Sequence, residues 1–189
     1  GVELRLAEIR AIASQHGAME IENTIPKILH ANPFGPVNNM IGPQGERWVP
    51  VHALVPHSKA KDVYLASQRV FTQHAEAINR FDIGIGYLLA TVWNNVYVLE
   101  PVFFWPDELN ELHHHAVEKS HMKRLKGFAA NPEARHAVQA IREDLISAFQ
   151  GLGGVHMQIG KTYPFKSGIA QTNFEILQSL KQTLDPDNK

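Results

Sequence analysis

IGIGYLLATVWNNVYVLEPVFFW, Ile83 to Trp105, decides the architecture of this chain. Two runs rich in β-branched and aromatic residues, Ile83 to Trp93 and Val96 to Trp105, flank Asn94-Asn95 as the arms of a tight hairpin would. Before them, WVPVHALVP (Trp48 to Pro56) reads as a strand, and Ser58 is placed to cap a long helix. In that helix Val63, Ala66, Val70, His74, Ile78 and Phe81 recur at helical spacing, which makes one apolar face. After the hairpin, Pro106-Asp107-Glu108 opens a helix expected to end near Gly127. Asn131-Pro132-Glu133 opens another, with Ala134, Val138, Ile141, Leu145 and Phe149 inward and the glycines from Gly151 to Gly154 closing it. Val155 to Lys161 then reads as a closing strand, and Phe174, Leu177, Leu180 and Leu184 mark a final helix.

The resulting order, strand-helix-strand-strand-helix-strand, is the split βαβ arrangement. Right-handed crossovers turn it into an α+β, ferredoxin-like antiparallel sheet with helices on one face and, in the usual strand order, the first strand beside the last. Upstream, Val2, Leu6, Ile9 and Ala13 predict an amphipathic helix over 3–16 closed by Gly17. From Asn23 to Arg47 the text becomes irregular, with Pro26, Pro33, Pro36 and Pro43 and a turn signal at Gly42-Pro43-Gln44-Gly45. Irregular segments of that length line a site or lie against a partner. The expected organisation is therefore a helix plus arm over 1–46 and a folded domain over 47–189.

Composition narrows the function classes. A chain of 189 residues, 44% hydrophobic and 20% charged, can bury one sizeable core. Its formal net charge of −1 carries no long run of one sign, so the field attracts neither nucleic acid nor an anionic membrane. The absence of cysteine excludes disulfides, thiolate nucleophiles and cysteine-held metal, which fits a cytoplasmic setting. No apolar run reaches the length of a membrane span.

Strand alternation sorts the chemistry-bearing side chains. Val49, Val51, Ala53 and Val55 suit the helix-covered face, which turns Trp48, His52 and Leu54 the other way. On the last strand Val155, Met157 and Ile159 point inward and His156 and Gln158 outward. The hairpin is expected to offer Tyr87, Thr91, Trp93 and Tyr97 to the same open face. Aromatic groups with a few hydrogen-bonding partners compose a small-molecule site; the same residue types also suit any half-buried sheet surface. Lys161 would share the buried face by strict alternation, so a bulge at Gly160 is expected to turn it outward. Glu100-Pro101 reads as a site acid or a local bulge. His113, His114, His115 and His121 with Glu118 are read as a solvated helix face rather than a metal site, since only His114 and Glu118 share a face at i, i+4.

The stretch Val155 to Pro164 (VHMQIGKTYP), with the helix stopping at Leu184-Asp185-Pro186, resembles the end of the cap domain in FAD-linked oxidases of the vanillyl-alcohol oxidase/p-cresol methylhydroxylase type. The resemblance extends over Asn23-Thr24-Ile25 and Arg47-Trp48-Val49-Pro50-Val51-His52. It implies that the open sheet face roofs a flavin held by another domain of the same polypeptide, with the substrate between them. It also implies that the chain, ending at Asp187-Asn188-Lys189, is a fragment lacking that domain and inactive alone. The substrate would be a phenolic alcohol or a 2-hydroxy acid, and the intact enzyme could be a homodimer. By this resemblance Lys161 meets the anionic end of the substrate, and Tyr163 and His52 hydrogen-bond it or remove its proton. His156, Gln158, Trp48, Tyr87, Thr91 and Trp93 line the substrate, and Asn94, Asn95 and Tyr97 approach the flavin. Two departures stand out: Gly160-Lys161 occupies the place of a Tyr-Arg pair, and the hairpin turn has no histidine, so FAD is expected to be bound noncovalently. A Lys supplies charge without the bidentate fork of Arg. A free-standing ferredoxin-like ligand-binding or regulatory module is the alternative, and an RNA-binding domain of similar topology would need a basic sheet face.

Overall fold

The computed structural model describes residues 1–158 and 160–188. The chain divides into two units, Gly1–Pro36 and Val37–Lys189. In the first, α1 (Val2–Gln15) ends where Gly17 takes φ +74° and the Ala18 N–H reaches back to the Ala13 carbonyl, the glycine-terminated ending its spacing predicts. Thr24–Ala31 forms α2, so part of the expected irregular arm is helical. Pro26 sits in its first turn, where a missing N–H has no intrahelical partner to lose.

The second unit is built on a four-stranded antiparallel sheet. Its strands are β1 (Arg47–Pro50), β2 (Ala53–Pro56), β3 (Gly84–Val92) and β4 (Val96–Trp105), with β4 central. β3 lies along one side of β4, whereas β1 and β2 follow one another along the other. The predicted single strand over 48–56 is thus divided, yet its register continues: Pro50 faces Val102 and Ala53 faces Leu99. Pro101 causes the division. The Val51 N–H donates to the Pro101 carbonyl at 3.0 Å, but proline has no N–H to return the bond. The expected bulge at Glu100-Pro101 is absent, because β4 stays in register with β3 throughout. The hairpin loop holds three residues rather than two: Val92 pairs with Val96, and Trp93, at φ +60°, joins Asn94 and Asn95 in the turn.

α3 (Ala60–Gln73) and α7 (Pro132–Gly151) pack on each other and over one face of this sheet. From α3 come Val63, Ala66 and Val70, and from α7 Ala134, Val138, Ile141, Leu145 and Phe149. These meet Val51, Ala53 and Val55 of the first strand and Leu99, Phe103 and Trp105 of β4. The inward residues read from periodicity over 49–55, 63–81 and 134–149 are buried or half-buried. α3 starts at Ala60 with no side-chain cap, so Ser58 does not cap it; His57–Lys59 form a 3₁₀ turn instead. His74 separates α3 from α4 (Ala75–Arg80).

Two more expected elements differ. Pro106 to Gly127 is not one helix but two short ones, α5 (Glu111–Ala116) and α6 (Lys119–Met122). Asp107 is held elsewhere: its fully buried carboxylate accepts from Arg135 Nε at 2.6 Å and Nη2 at 2.9 Å. It also accepts from the Asn131 N–H at 2.7 Å, the Glu108 N–H at 2.9 Å and Trp105 Nε1 at 3.1 Å. Burial pushes its pKa up, but the bonds from Arg135, Asn131 and Trp105 outweigh that and hold it below the usual range. The expected strand over 155–161 is reduced to one antiparallel bridge, Leu54 with Val155. The chain then leaves the sheet edge, and Val155 and Met157 are exposed rather than inward. The expectation for Ile159 falls outside the described residues. The last helix, α8 (Gln171–Leu184), forms where predicted, with no buried residue. No described helix is long and apolar enough to cross a membrane.

Candidate functional site

The departure of the chain after Val155 leaves the edge of the first strand unpaired at His52, and side chains fill the gap. The His52 N–H, which a neighbouring strand would have bonded, donates to Tyr163 Oη at 3.1 Å. The Met157 N–H donates to His52 Nε2 at 2.9 Å. A ring nitrogen accepting an N–H carries no proton, so the neutral His52 is protonated on Nδ1, which donates to Tyr163 Oη at 2.9 Å. His156 Nδ1 donates in turn to the His52 carbonyl at 2.7 Å, and its ring stacks on Tyr163 with centroids 4.3 Å apart. His52 is wholly buried and Tyr163 nearly so.

This geometry fixes an unusual acceptor. With Nδ1 of His156 committed as a donor, its Nε2 bears a lone pair, and that atom is buried with no hydrogen-bond partner among the described residues. Both imidazoles are held neutral. Burial, with the neighbouring His156 also disfavouring a charge there, pushes His52 down to about 4, and burial also lowers His156 against the pull of the His52 carbonyl. Burial raises the Tyr163 phenol although the His52 N–H and Arg142 favour its anion. Glu100, opposite Leu88 on β4, is half-buried and its carboxyl is raised by burial. The cluster can therefore accept a proton or hydrogen bond at His156 Nε2, and Tyr163 Oη, already accepting two bonds, keeps its own hydrogen to donate.

Of the residues expected from sequence, His52, His156 and Tyr163 meet here. Lys161 and Gln158 lie on the exposed segment between His156 and Tyr163. Lys161 is exposed, and among the described residues around it no strand or bulge forms. Trp48 borders a different cleft, with Arg47, Trp105 and Arg142. The hairpin residues were expected on the opposite face from the one they occupy. Tyr87 pairs with Pro101 and turns toward the helices, its Oη bonded to Ser67 Oγ at 2.8 Å and Gln68 Nε2 at 2.7 Å. Tyr97 likewise packs on the core, and Thr91, its partner, shares that side. Trp93 is exposed at the turn beside Asn94 and Asn95. Asn94, Asn95 and Tyr97 thus make no common wall for a flavin: two are turn residues, and the third faces the helices. The helix-free face instead carries Leu88, Ala90, Val96, Val98, Glu100, Val102 and Phe104 by alternation.

The histidine-rich segment is local structure. His113 is buried and forms a reciprocal cap with Asn110, and His115 Nε2 pairs with Glu111 at 3.1 Å. Among the described residues no group of three His, Cys, Asp or Glu side chains is placed to hold a metal ion. Arg142 was not singled out from sequence, although it falls in the inward stripe with Val138, Ile141 and Leu145, where a charge is out of place. The Asp107–Arg135 pair had no such local signal, being 28 residues apart. No protein-family model, curated protein or solved structure matches this chain.

Proposed function

We propose that this chain is the substrate-binding domain of an FAD-dependent oxidoreductase acting on a phenolic alcohol or a 2-hydroxy acid. Its fold is of the ferredoxin-like type, with the edge beyond the first strand given over to the site. The observation that carries the proposal is the unpartnered, neutral Nε2 of His156 packed against Tyr163 and His52. Oxidising an alcohol carbon requires that its hydroxyl lose a proton, and a buried imidazole lone pair is a suitable acceptor. Tyr163 supplies a donor to the same neighbourhood, and Lys161, on the adjoining exposed segment, supplies charge for an anionic end. The resemblance of residues 155–186 assigns the redox chemistry to a flavin held by another domain of the same polypeptide. A free-standing ligand-binding module is the second reading, favoured by a core made within residues 49–163.

Two measurements on the purified chain test this. Titration with 4-(hydroxymethyl)phenol and with mandelate, followed by the imidazole carbon-proton signals of His52 and His156, should give saturable shifts at both rings for one class of ligand. Shifts confined to other residues, or none, would remove the site assignment. Gel filtration with added FAD should leave the protein colourless; uptake of one FAD per chain would overturn the assignment of the flavin to another domain.

A further inference from the structure

A second site lies at the Arg47 end of the first strand. There a cleft of about 410 Å³ is walled by Trp48, Pro50, Trp105, His113, Val138 and Arg142, among others. Its three arginines are not equivalent. Arg135 is bonded to Asp107 at 2.6 Å and to Glu108 at 2.8 Å, and Arg47 lies 3.9 Å from the same Asp107, so the charge of both is answered within the protein. Arg142 has no ion pair among the described residues. Its Nη1 donates to Gln139 Oε1 at 3.2 Å, and its Nε is buried with no hydrogen-bond partner among the described residues. Burial works against its charge and lowers its pKa, although Tyr163 and Glu143 favour the charge. A partly buried guanidinium without an anion is costly, and an anion entering the cleft would relieve that cost.

We propose that this cleft binds a small organic monocarboxylate with an aromatic or branched apolar body, its carboxylate on Arg142 and its body between the tryptophans and Val138. One cation without an ion pair among the described residues matches one negative charge, which favours a carboxylate over a phosphate dianion. The guanidinium offers the planar fork that carboxylates fit. The body of the ligand meets Trp48, Pro50, Trp105 and Val138, which are apolar. His113 adds a neutral donor to the wall: the Asn110 N–H bonds its Nδ1 at 3.1 Å, so its proton sits on Nε2. Arg142 also acts on the charge of Tyr163 in the His156 cluster, but this inference does not rest on the reading given to that cluster.

The test uses the full chain with benzoate and its uncharged isostere benzamide, read by calorimetry and by tryptophan fluorescence. Benzoate should bind at one site and quench or shift the emission, and benzamide should bind at least about tenfold more weakly. Arg142→Gln should lose benzoate affinity by roughly ten- to hundredfold, and Arg142→Lys should retain part of it. Equal binding of benzoate and benzamide to the unmodified chain overturns the proposal whether or not the variants fold. So does unchanged benzoate affinity in a folded Arg142→Gln. The ligand shifts at His52 and His156 are read on the unmodified chain, whatever the outcome with benzoate and the Arg142 variants, so the two proposals fail separately.

Discussion

At the scale of single residues, a histidine in place of a strand neighbour explains both the stability and the chemistry of the sheet edge. His52 is protonated near its ordinary pKa when unfolded but only near about 4 when folded, because burial and His156 disfavour its charge. The unfolded state therefore binds more protons on acidification, and stability falls as pH drops from about 6.5 toward 4. The loss approaches the order of 3 kcal/mol at the lower end. Urea melts between pH 7 and 5, above the main carboxylate range, should show it, and a His52→Gln variant should flatten the profile; an equal slope in that variant would assign the effect elsewhere. Tyr163→Phe should cost about 1–3 kcal/mol with an unchanged denaturant slope, since it strips both the N–H and Nδ1–H of His52 of their acceptor. A variant as stable as the parent would mean that water replaces the phenol. Strand alternation singled out His52 and His156 and the family resemblance singled out Tyr163; the structure brings the three together, with His52 wholly buried rather than on an open face. Tyr87 and Tyr97 were misassigned because both faces of the hairpin are apolar, so its phase cannot be read from the hairpin alone. Phe103-Phe104-Trp105 is the clearest case: Phe103 and Trp105 are buried, and Phe104 lies on the other face.

Elements were legible where period and punctuation agreed, as in α1, α7, α8 and the hairpin, whereas the expected long helix through Phe81 is interrupted at His74. They failed where a distant partner decided the outcome. Pro106-Asp107-Glu108 has the composition of a helix start, yet Arg135 and Asn131 hold Asp107 in the buried hub, and the helix begins later at Glu111. Val155 to Lys161 has strand character, but its Met157 N–H is taken by a side chain instead of a strand carbonyl. The turn at Gly42-Pro43-Gln44-Gly45 was read correctly, and it has a long-range role. Gly45 takes φ +103°, the Lys126 N–H donates to the Gln44 carbonyl at 3.1 Å, and a Cβ on Gly45 would collide with the Lys126 carbonyl. Gly45→Ala must therefore pay for backbone strain and for a shift of the chain at Lys126, about 2–4 kcal/mol in all. Chemical denaturation measures it, and a change below about 0.5 kcal/mol would show that the turn relaxes at no cost.

The whole molecule is uneven in how it is held. Every residue of the core cluster belongs to the stretch from Val51 to Tyr163, and its partly buried neighbours begin at Val49. In the first unit no residue of α1 or α2 is buried, and Leu4, Ile9, Ile21 and Ile25 are among its exposed apolar side chains. Its best-defined side-chain contact is the exposed pair of Arg10 and Glu20 at 2.9 Å, of a kind that contributes little. Isolated helices of 14 and 8 residues are marginal in water, since nucleation is costly and packing normally supplies the rest. The core and hydrogen-bond hub of the second unit draw on none of these residues, so a chain beginning at Val37 should keep the cooperative transition. Its midpoint should correspond to within about 0.5 kcal/mol of the full chain, the margin expected for changes that touch no buried group. Its denaturant slope should fall only slightly, because little buried surface is lost. In the full chain the α1 amides should exchange orders of magnitude faster than those of Val98, Leu99 and Phe103 in β4, as local opening predicts for elements without buried contacts. Loss of cooperativity on removing residues 1–36, or slow exchange along α1, would show instead that this segment is part of the folded core.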